Sequence, residues 1–442
     1  MDIGFYRRTL KAGLNVPDIF DAVFGKALSA IWLDDHGERG SGFSYLLDAE
    51  PLVLTTAWRN EVRKAWREIA LAKDARSENL PFGIFFVVPY ETDTENIRPL
   101  DPRRGAPIPI ALAIRRLLEI NHQTGEVSAC GLSDARSLTD WANQCEALIL
   151  NHQPRVEEVS SVNPVLHWRD SKNRYLEMIG LAQEFIRNGD VYQLCLTTSL
   201  ETFTPINPIA LHQTLREKHP THHQAMIRLG ETSIVSASPE TFISLTREGQ
   251  LVTRPIKGTR PRGSNNSADL LLREELLSSD KERAENLMIV DLMRNDLSRV
   301  CEVGSLHVPD LLVVESYSTV HQLVSTVSGK LRKELDLVDV LDAIFPAGSM
   351  TGAPKRRAVQ LLIDLEQNSR GLYSGTFGIW RADGSAEFAM TIRTAIVRPD
   401  RFSLGVGGGI TALSNPEEEV LEVAMKAKAF GMALNSGQVS YS

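Results

Sequence analysis

The sequence predicts an α+β fold whose strands run antiparallel. Three observations carry that reading. The segments VYQLCLTTSLETF, SIVSASPETFISL and LVTRPIKGT are short, β-branched and divided by turn residues, and they lack the intervening helix that a parallel crossover requires. Helical periodicity is confined to a few long, well-punctuated stretches. The 442 residues, 43% apolar and 24% charged, suffice for two ordinary domains or one large intertwined one.

Residues 1–155 mix apolar runs such as LPFGIFFVVPY (80–90) with Pro-rich breaks such as RPLDPRRGAPIP (98–109), a pattern of strands and loops. A polar stretch, NHQPRVEEVSSVNP (151–164), reads as a connection to a second region over 165–442, intertwined with the first. Next comes a helix on which Tyr175, Met178, Ile179, Ala182, Phe185 and Ile186 keep i, i+3, i+4 spacing and Gly189 supplies the stop. A second helical stretch (267–300) breaks at Ser278 and Ser279, with Ser279 and Glu282 spaced as a capping box. The last helix opens at Asn415-Pro416, an N-cap followed by proline, with three glutamates in its first turn. No internal repeat marks a solenoid or propeller.

Composition narrows function. Against 48 Lys and Arg stand 56 Asp and Glu, a net charge of -8, so nothing favours nucleic acid or an anionic membrane. Four scattered cysteines without a C-x-x-C pair fit a reducing cytoplasm and suggest neither a disulfide framework nor a thiolate zinc site. No apolar run reaches the roughly 18 residues of a membrane span, and the N-terminus lacks the apolar core of a signal peptide. Neither G-x-x-x-x-G-K-[ST] nor H-E-x-x-H occurs. The cluster Gly405-Val406-Gly407-Gly408-Gly409-Ile410 departs from G-x-G-x-x-G, since Ile410 stands where the third glycine belongs. It reads as an amide nest for a carboxylate or phosphate, or as a tight turn between strand and helix.

Several side chains point to chemistry. On the last helix Glu419, Glu422 and Lys426 form one stripe beside the apolar face of Val420, Val423, Ala424, Ala427 and Phe430. Two carboxylates one turn apart could ligate Mg²⁺, or could form a solvated Glu/Lys pair. Glu285 shares a face with Ile289 and Leu292 and needs a partner, either a metal or an arginine such as Arg294 or Arg393. Lys257, where Pro255 and Gly258 mark a turn, is a nucleophile if its amine is neutral, and otherwise an exposed lysine. Glu240 in SASPE is a general acid if buried, and otherwise a turn residue.

These residues fall within an ordered set of motifs: SASPE, PIKGTRPRG, DKERAENLMIVDLMRNDL, VHQLVSTVSG, FPAGSMTGAPKRRAV, YSGTFGIW, TIRTA, GVGGGI and SNPEEEVLE, over residues 170–435. The set resembles the chorismate-utilising enzymes, the family of the anthranilate and aminodeoxychorismate synthase components I and the isochorismate and salicylate synthases. The resemblance implies a sandwich of large antiparallel sheets with helices outside, and Mg²⁺ dependence. The lysine of PIKGT, Lys257, implies amination of chorismate at C4, where the anthranilate branch carries alanine. Gln193 stands where isochorismate and salicylate synthases carry a lysine base. By the same resemblance Lys257 adds to C2 of chorismate with Glu240 as acid, and Glu285 and Glu422, with Glu419 nearby, hold Mg²⁺. Arg393, Tyr373, Lys426 and the amides around Gly407 and Gly409 bind the enolpyruvyl carboxylate, and Thr259 and His321 match further pocket positions. Without a G-x-C-x-G elbow, the family implies ammonia from a separate glutaminase subunit, in the cytoplasm, towards 4-aminobenzoate and folate. Two alternatives stand beside this: anthranilate synthase component I, and a non-catalytic chorismate-binding or regulatory subunit. Upstream, PFGIFFVVPYE replaces a glycine-rich family segment with Gly83 as its one glycine. AIWLDDHGERGSGFSYLLD (30–48) loosely resembles the stretch that forms the tryptophan pocket of anthranilate synthases, with Asp34 and Asp35 where a serine-bearing motif is common.

Overall fold

Strand Ser29–Asp34 shows how the layers are built, because its side chains alternate between two cores: Ile31 enters one, Ala30 and Trp32 the other. The computed structural model describes residues 3–34, 42–72, 74, 80–92, 94, 107–153, 163–317, 320–436, 439 and 441. All strand pairings among them are antiparallel, as the short β-branched segments predict.

One layer runs Gly4–Leu10, Val127–Ser133, Ile110–Asn121, Phe43–Pro51, Ser29–Asp34, His223–Leu229, Thr232–Ser238, Thr394–Arg398, Arg401–Ile410 and Gln193–Thr202. The other runs Gly83–Val88, Thr376–Arg381, Ala386–Met390, Thr241–Leu245, Gln250–Thr253 and Val320–Lys330, with Ile256–Pro261 and His307–Ser316 also on that last strand. The long strand Ile110–Asn121 joins the layers, since its first half pairs with Gly83–Val88 and its second with Val127–Ser133. Ile31, Leu47, Ile227 and Ile234 of the first layer share a core with Phe85, Ile243, Phe377 and Phe388 of the second. The outer face of the first layer, with Trp32, Met226 and Phe402, is covered by helices Val16–Phe24, Ala135–Leu150, Lys172–Arg187, Pro208–Lys218 and Pro416–Ala433. The α+β sandwich with helices outside is thus the observed architecture.

Strands from both halves of the chain share each layer, and the two halves meet at one pairing in each. Ser29–Asp34 pairs with His223–Leu229, and Gly83–Val88 with Thr376–Arg381. Of the connection expected at 151–164, residues 154–162 lie outside the described residues. The segment holding Gly83 is a wholly buried strand. In the 30–48 stretch Asp34 pairs with Arg216 and accepts from Ser44 at 2.6 Å, while Asp35 lies outside the described residues.

Local punctuation follows the sequence. Helix Lys172–Arg187 is capped by Ser171 and followed by Gly189 at φ +80. Ser279 ends helix Asn266–Ser278 and caps Asp280–Ser298, although the Glu282 side chain completes no box and instead accepts from Arg260 at 3.3 Å. Asn415 caps Pro416–Ala433. The glycine cluster differs from both expectations: it is neither nest nor turn but the end of strand Arg401–Ile410, with none of its glycines at positive φ. Cys145, Cys195 and Cys301 are buried and free, and Cys130 is buried. Among the described residues no helix is long and apolar enough to cross a membrane.

Candidate active site

Lys257 stands one residue from the start of its strand. It lies inside strand Ile256–Pro261, where the register against Val320–Lys330 shifts between Ile256 and Thr259 and Gly258 takes φ +87. Such a bulge re-aims one side chain out of the ladder. Glycine is favoured there because the positive φ strains other residues, and a Cβ would in addition push on the side-chain ends of Leu276 (Cδ1, 2.8 Å) and Glu282 (Oε2, 3.0 Å). Glu240 stands between strands Thr232–Ser238 and Thr241–Leu245, where its carbonyl accepts from Met390 N at 3.0 Å. Its carboxyl accepts from Ser349 Oγ at 3.3 Å. Burial pushes the Glu240 pKa up to about 7, with Lys257, Ser349 and Lys426 opposing. A proton is therefore available beside a primary amine near neutral pH.

Glu285 is buried on helix Asp280–Ser298, and among the described residues its Oε1 has no hydrogen-bond partner. Desolvation pushes its pKa up to about 7, against the nearby Lys257 and Lys281. Neither Arg294 nor Arg393 is its partner: Arg294 pairs with Asp291, and Arg393 lies near Tyr373 and Glu422. Near Glu285, Glu419 is buried, accepting from Ser414 at 2.7 Å and from Lys281 at 3.2 Å. Glu422 is half-exposed and pairs with Lys426 at 2.7 Å, which holds its pKa below the usual carboxylate range. Lys281 is shared among the carboxylates; burial lowers its pKa, but Glu419, Glu285 and Glu422 together raise it above the usual lysine value. Glu285, with its orphaned buried oxygen, and the half-exposed Glu422 both lie near Lys281 and Lys257, and carboxylates of this kind suit a hard divalent cation such as Mg²⁺, which takes one or two carboxylates and completes its shell with water and substrate oxygens.

The glycine strand forms the floor. Its neighbour Thr394–Arg398 pairs only as far as Leu404, so among the described residues one edge beyond Gly405 has no strand beside it. There Lys426 Nζ donates to the Gly407 carbonyl at 2.9 Å. Side chains would obstruct this floor: a Cβ at Gly405 would overlap the Tyr373 ring, and one at Gly409 the Gln193 amide. Gln193 is fully buried and both its amide atoms lack hydrogen-bond partners among the described residues. Arg393, in the connection that leads into the neighbouring strand Thr394–Arg398, holds φ +48, a conformation that costs about 1–3 kcal/mol and persists because its surroundings impose it. Burial raises the Tyr373 pKa and lowers that of Arg393.

A family model for chorismate binding enzymes matches residues 29–431. The chain belongs to the chorismate-binding enzyme family. Among curated relatives, the aminodeoxychorismate synthase of Streptomyces pristinaespiralis is 32% identical over 98% of this chain and 66% of its own length. The chloroplastic aminodeoxychorismate synthase of Arabidopsis thaliana is 38% identical over 80% of this chain and 40% of its own. The chain therefore spans less than two thirds of these relatives. Among solved structures, anthranilate synthase component I from Streptococcus pneumoniae superposes with a TM-score of 0.74 at 25% identity, covering 98% of this chain and 93% of that one.

Within this family fold most of the residues named from sequence converge. Lys257, Glu240, Glu285, Glu422 and Lys426 share one electrostatic neighbourhood, joined by Arg393 through Glu422 and by Tyr373 through Arg393. Two do not join it. His321 bonds Asp269 at 3.0 Å and Ser316 at 2.7 Å, opposite Arg260 in the ladder. Thr259 is exposed and paired with Gln322, the neighbour of His321 that points to the other face. A cavity of about 770 Å³ opens beside Tyr373, lined also by Tyr90, Arg370 and Thr394 but by none of the lysines and glutamates of the cluster. The sequence reading missed Lys281 and Ser349. Lys281 was findable, since it precedes Glu285 by one helical turn, whereas Ser349 reaches Glu240 only through the tertiary fold.

Proposed function

We propose that the chain aminates chorismate at C4, as the synthase component of an aminodeoxychorismate synthase, using ammonia from a glutaminase subunit. The observation that carries this reading is Lys257 in its bulge beside the protonatable Glu240. Neutral Lys257 Nζ adds to C2, the ring π electrons shift, and the C4 oxygen leaves as water with the proton from Glu240. Ammonia then adds at C4, the electrons shift back and the lysine amine leaves; Glu240 recovers its proton from the new ammonium. Hydroxyl is thereby exchanged for amine and one water is released. Arg393, Tyr373 and Lys426 orient the enolpyruvyl carboxylate against the open glycine edge. Glu285 and Glu422, with Glu419 beside them, would hold Mg²⁺, which when bound would supply positive charge for the ring carboxylate and make the diene a better electron sink. The product serves 4-aminobenzoate and folate synthesis.

The test is to incubate the purified chain with chorismate, Mg²⁺ and ammonium and identify products by mass. An aminochorismate isomer that a lyase converts to 4-aminobenzoate is the expected result, and Lys257→Ala should abolish it while leaving the melting temperature unchanged. Anthranilate as the product, the outcome suggested by the superposition on an anthranilate synthase component, would overturn the C4 assignment. No consumption of chorismate with or without a glutaminase would favour a binding subunit.

A further inference from the structure

Away from the glutamate cluster, the turn His219-Pro220-Thr221-His222 carries the chain from helix Pro208–Lys218 into strand His223–Leu229. Glu387 lies on strand Ala386–Met390, between Thr376–Arg381 and Thr241–Leu245, so its backbone is held on both edges. Glu387 Oε1 lies 3.5 Å from His222 Nε2 and 3.9 Å from His223 Nδ1. Among the described residues this is the one group of three or more His, Cys, Asp or Glu side chains whose donor atoms all lie within 4.8 Å of one another. Four-coordinate zinc with bonds of about 2.0–2.1 Å places neighbouring ligand atoms roughly 3.3 Å apart, close to both separations.

The surroundings resemble those of ligating side chains. His223 Nε2 bonds Thr241 Oγ1 at 2.7 Å, which orients the ring and leaves Nδ1 facing the carboxylate. The second oxygen of Glu387 lies 3.4 Å from Arg381 Nη2, fixing the carboxylate while Oε1 faces the imidazoles. Burial works against ionisation of Glu387, but His222, His223 and Arg381 hold its pKa well below the usual carboxylate range. Two imidazoles and one carboxylate select a borderline cation such as Zn²⁺ over Mg²⁺ or Ca²⁺, which prefer oxygen shells. We propose that His222, His223 and Glu387 form a zinc site, with water in the fourth position, that clips the 219–223 turn to the second layer. It shares no residue with the Mg²⁺ cluster and does not depend on the amination reading.

The experiment is equilibrium dialysis of the chelator-stripped full chain against micromolar Zn²⁺ with millimolar Mg²⁺ present, with bound zinc counted by atomic emission. One equivalent is expected, together with a zinc-dependent rise in melting temperature. His222→Asn, a substitution at a side chain that is about half-exposed, should weaken zinc at least about tenfold without altering the circular dichroism. Glu285→Gln should leave binding intact. Failure of the unaltered chain to retain zinc overturns the proposal, as does unchanged affinity in a His222→Asn, His223→Asn double variant. Loss of zinc in Glu285→Gln alone would assign the metal to the glutamate cluster and also overturn it.

Discussion

Glu240 must hold a proton when the C4 oxygen departs, and its environment sets the pH at which it does so. The carboxyl is desolvated between Lys257, Lys426 and Ser349, and burial prevails over both ammonium charges, raising the pKa to about 7. The acid form therefore declines as pH rises through about 7, and with it the turnover number. Glu240→Gln should lower turnover roughly 10²–10⁴-fold and remove that alkaline limb from the residual rate. Linkage gives a second readout. A carboxyl whose folded pKa is raised favours the folded state below the unfolded value near 4.5, and that contribution is lost as pH rises through about 7. Thermal melts of Glu240→Gln should vary less between pH 5 and 8 than those of the unaltered chain. The type of this residue was legible in SASPE, but its protonation was not, because desolvation depends on which segments close over it.

At the scale of elements, the bulge at Gly258 and the helix Asp280–Ser298 hold the lysine and the glutamates in relation. Gly258→Ala puts a Cβ at positive φ against Leu276 and Glu282, at about 1–3 kcal/mol. Activity should fall further than the lowered melting temperature explains, since Lys257 is displaced, and kinetics compared below the melt would show it. The helix is pinned from behind by Lys355, whose Nζ donates to Asp296 at 2.7 Å and to the Ile344 carbonyl at 2.7 Å. Both partners are less than a tenth exposed. Asp296→Ala strands the ammonium in the core and should cost about 3–5 kcal/mol, measured by denaturant unfolding. Helix ends in this region were readable in advance because caps are local: Ser279, Asn415 and Gly189 act within one turn of the chain. The extended form of the glycine cluster was not, because glycine permits turn and strand alike and only pairing with Gln193–Thr202 selects the strand.

The whole molecule couples both halves of the chain in each layer. Strand Gly83–Val88 has Thr376–Arg381 on one edge and Ile110–Asn121 on the other, and Ser29–Asp34 lies between Phe43–Pro51 and His223–Leu229. Residues 165–442 expressed alone would expose those edges together with the Phe377 and Phe388 faces. Cooperative unfolding of that fragment, with calorimetry as the readout, would falsify the expectation that it aggregates.

What the sequence determined by itself is what depends on local order: antiparallel strand type from β-branched runs between turns, helix limits from their caps, and kinship from an ordered set of motifs. It also supplied the inventory of lysines and glutamates that the site uses. The tertiary structure decided which of them meet and in what state. It set Lys281 among three carboxylates, Ser349 on Glu240 and Glu387 against His222, and it turned His321 away towards Asp269. Those outcomes rest on contacts between segments far apart in the chain and on strand register. A shift of one residue there, as between His321 and Gln322, reverses the face a side chain presents.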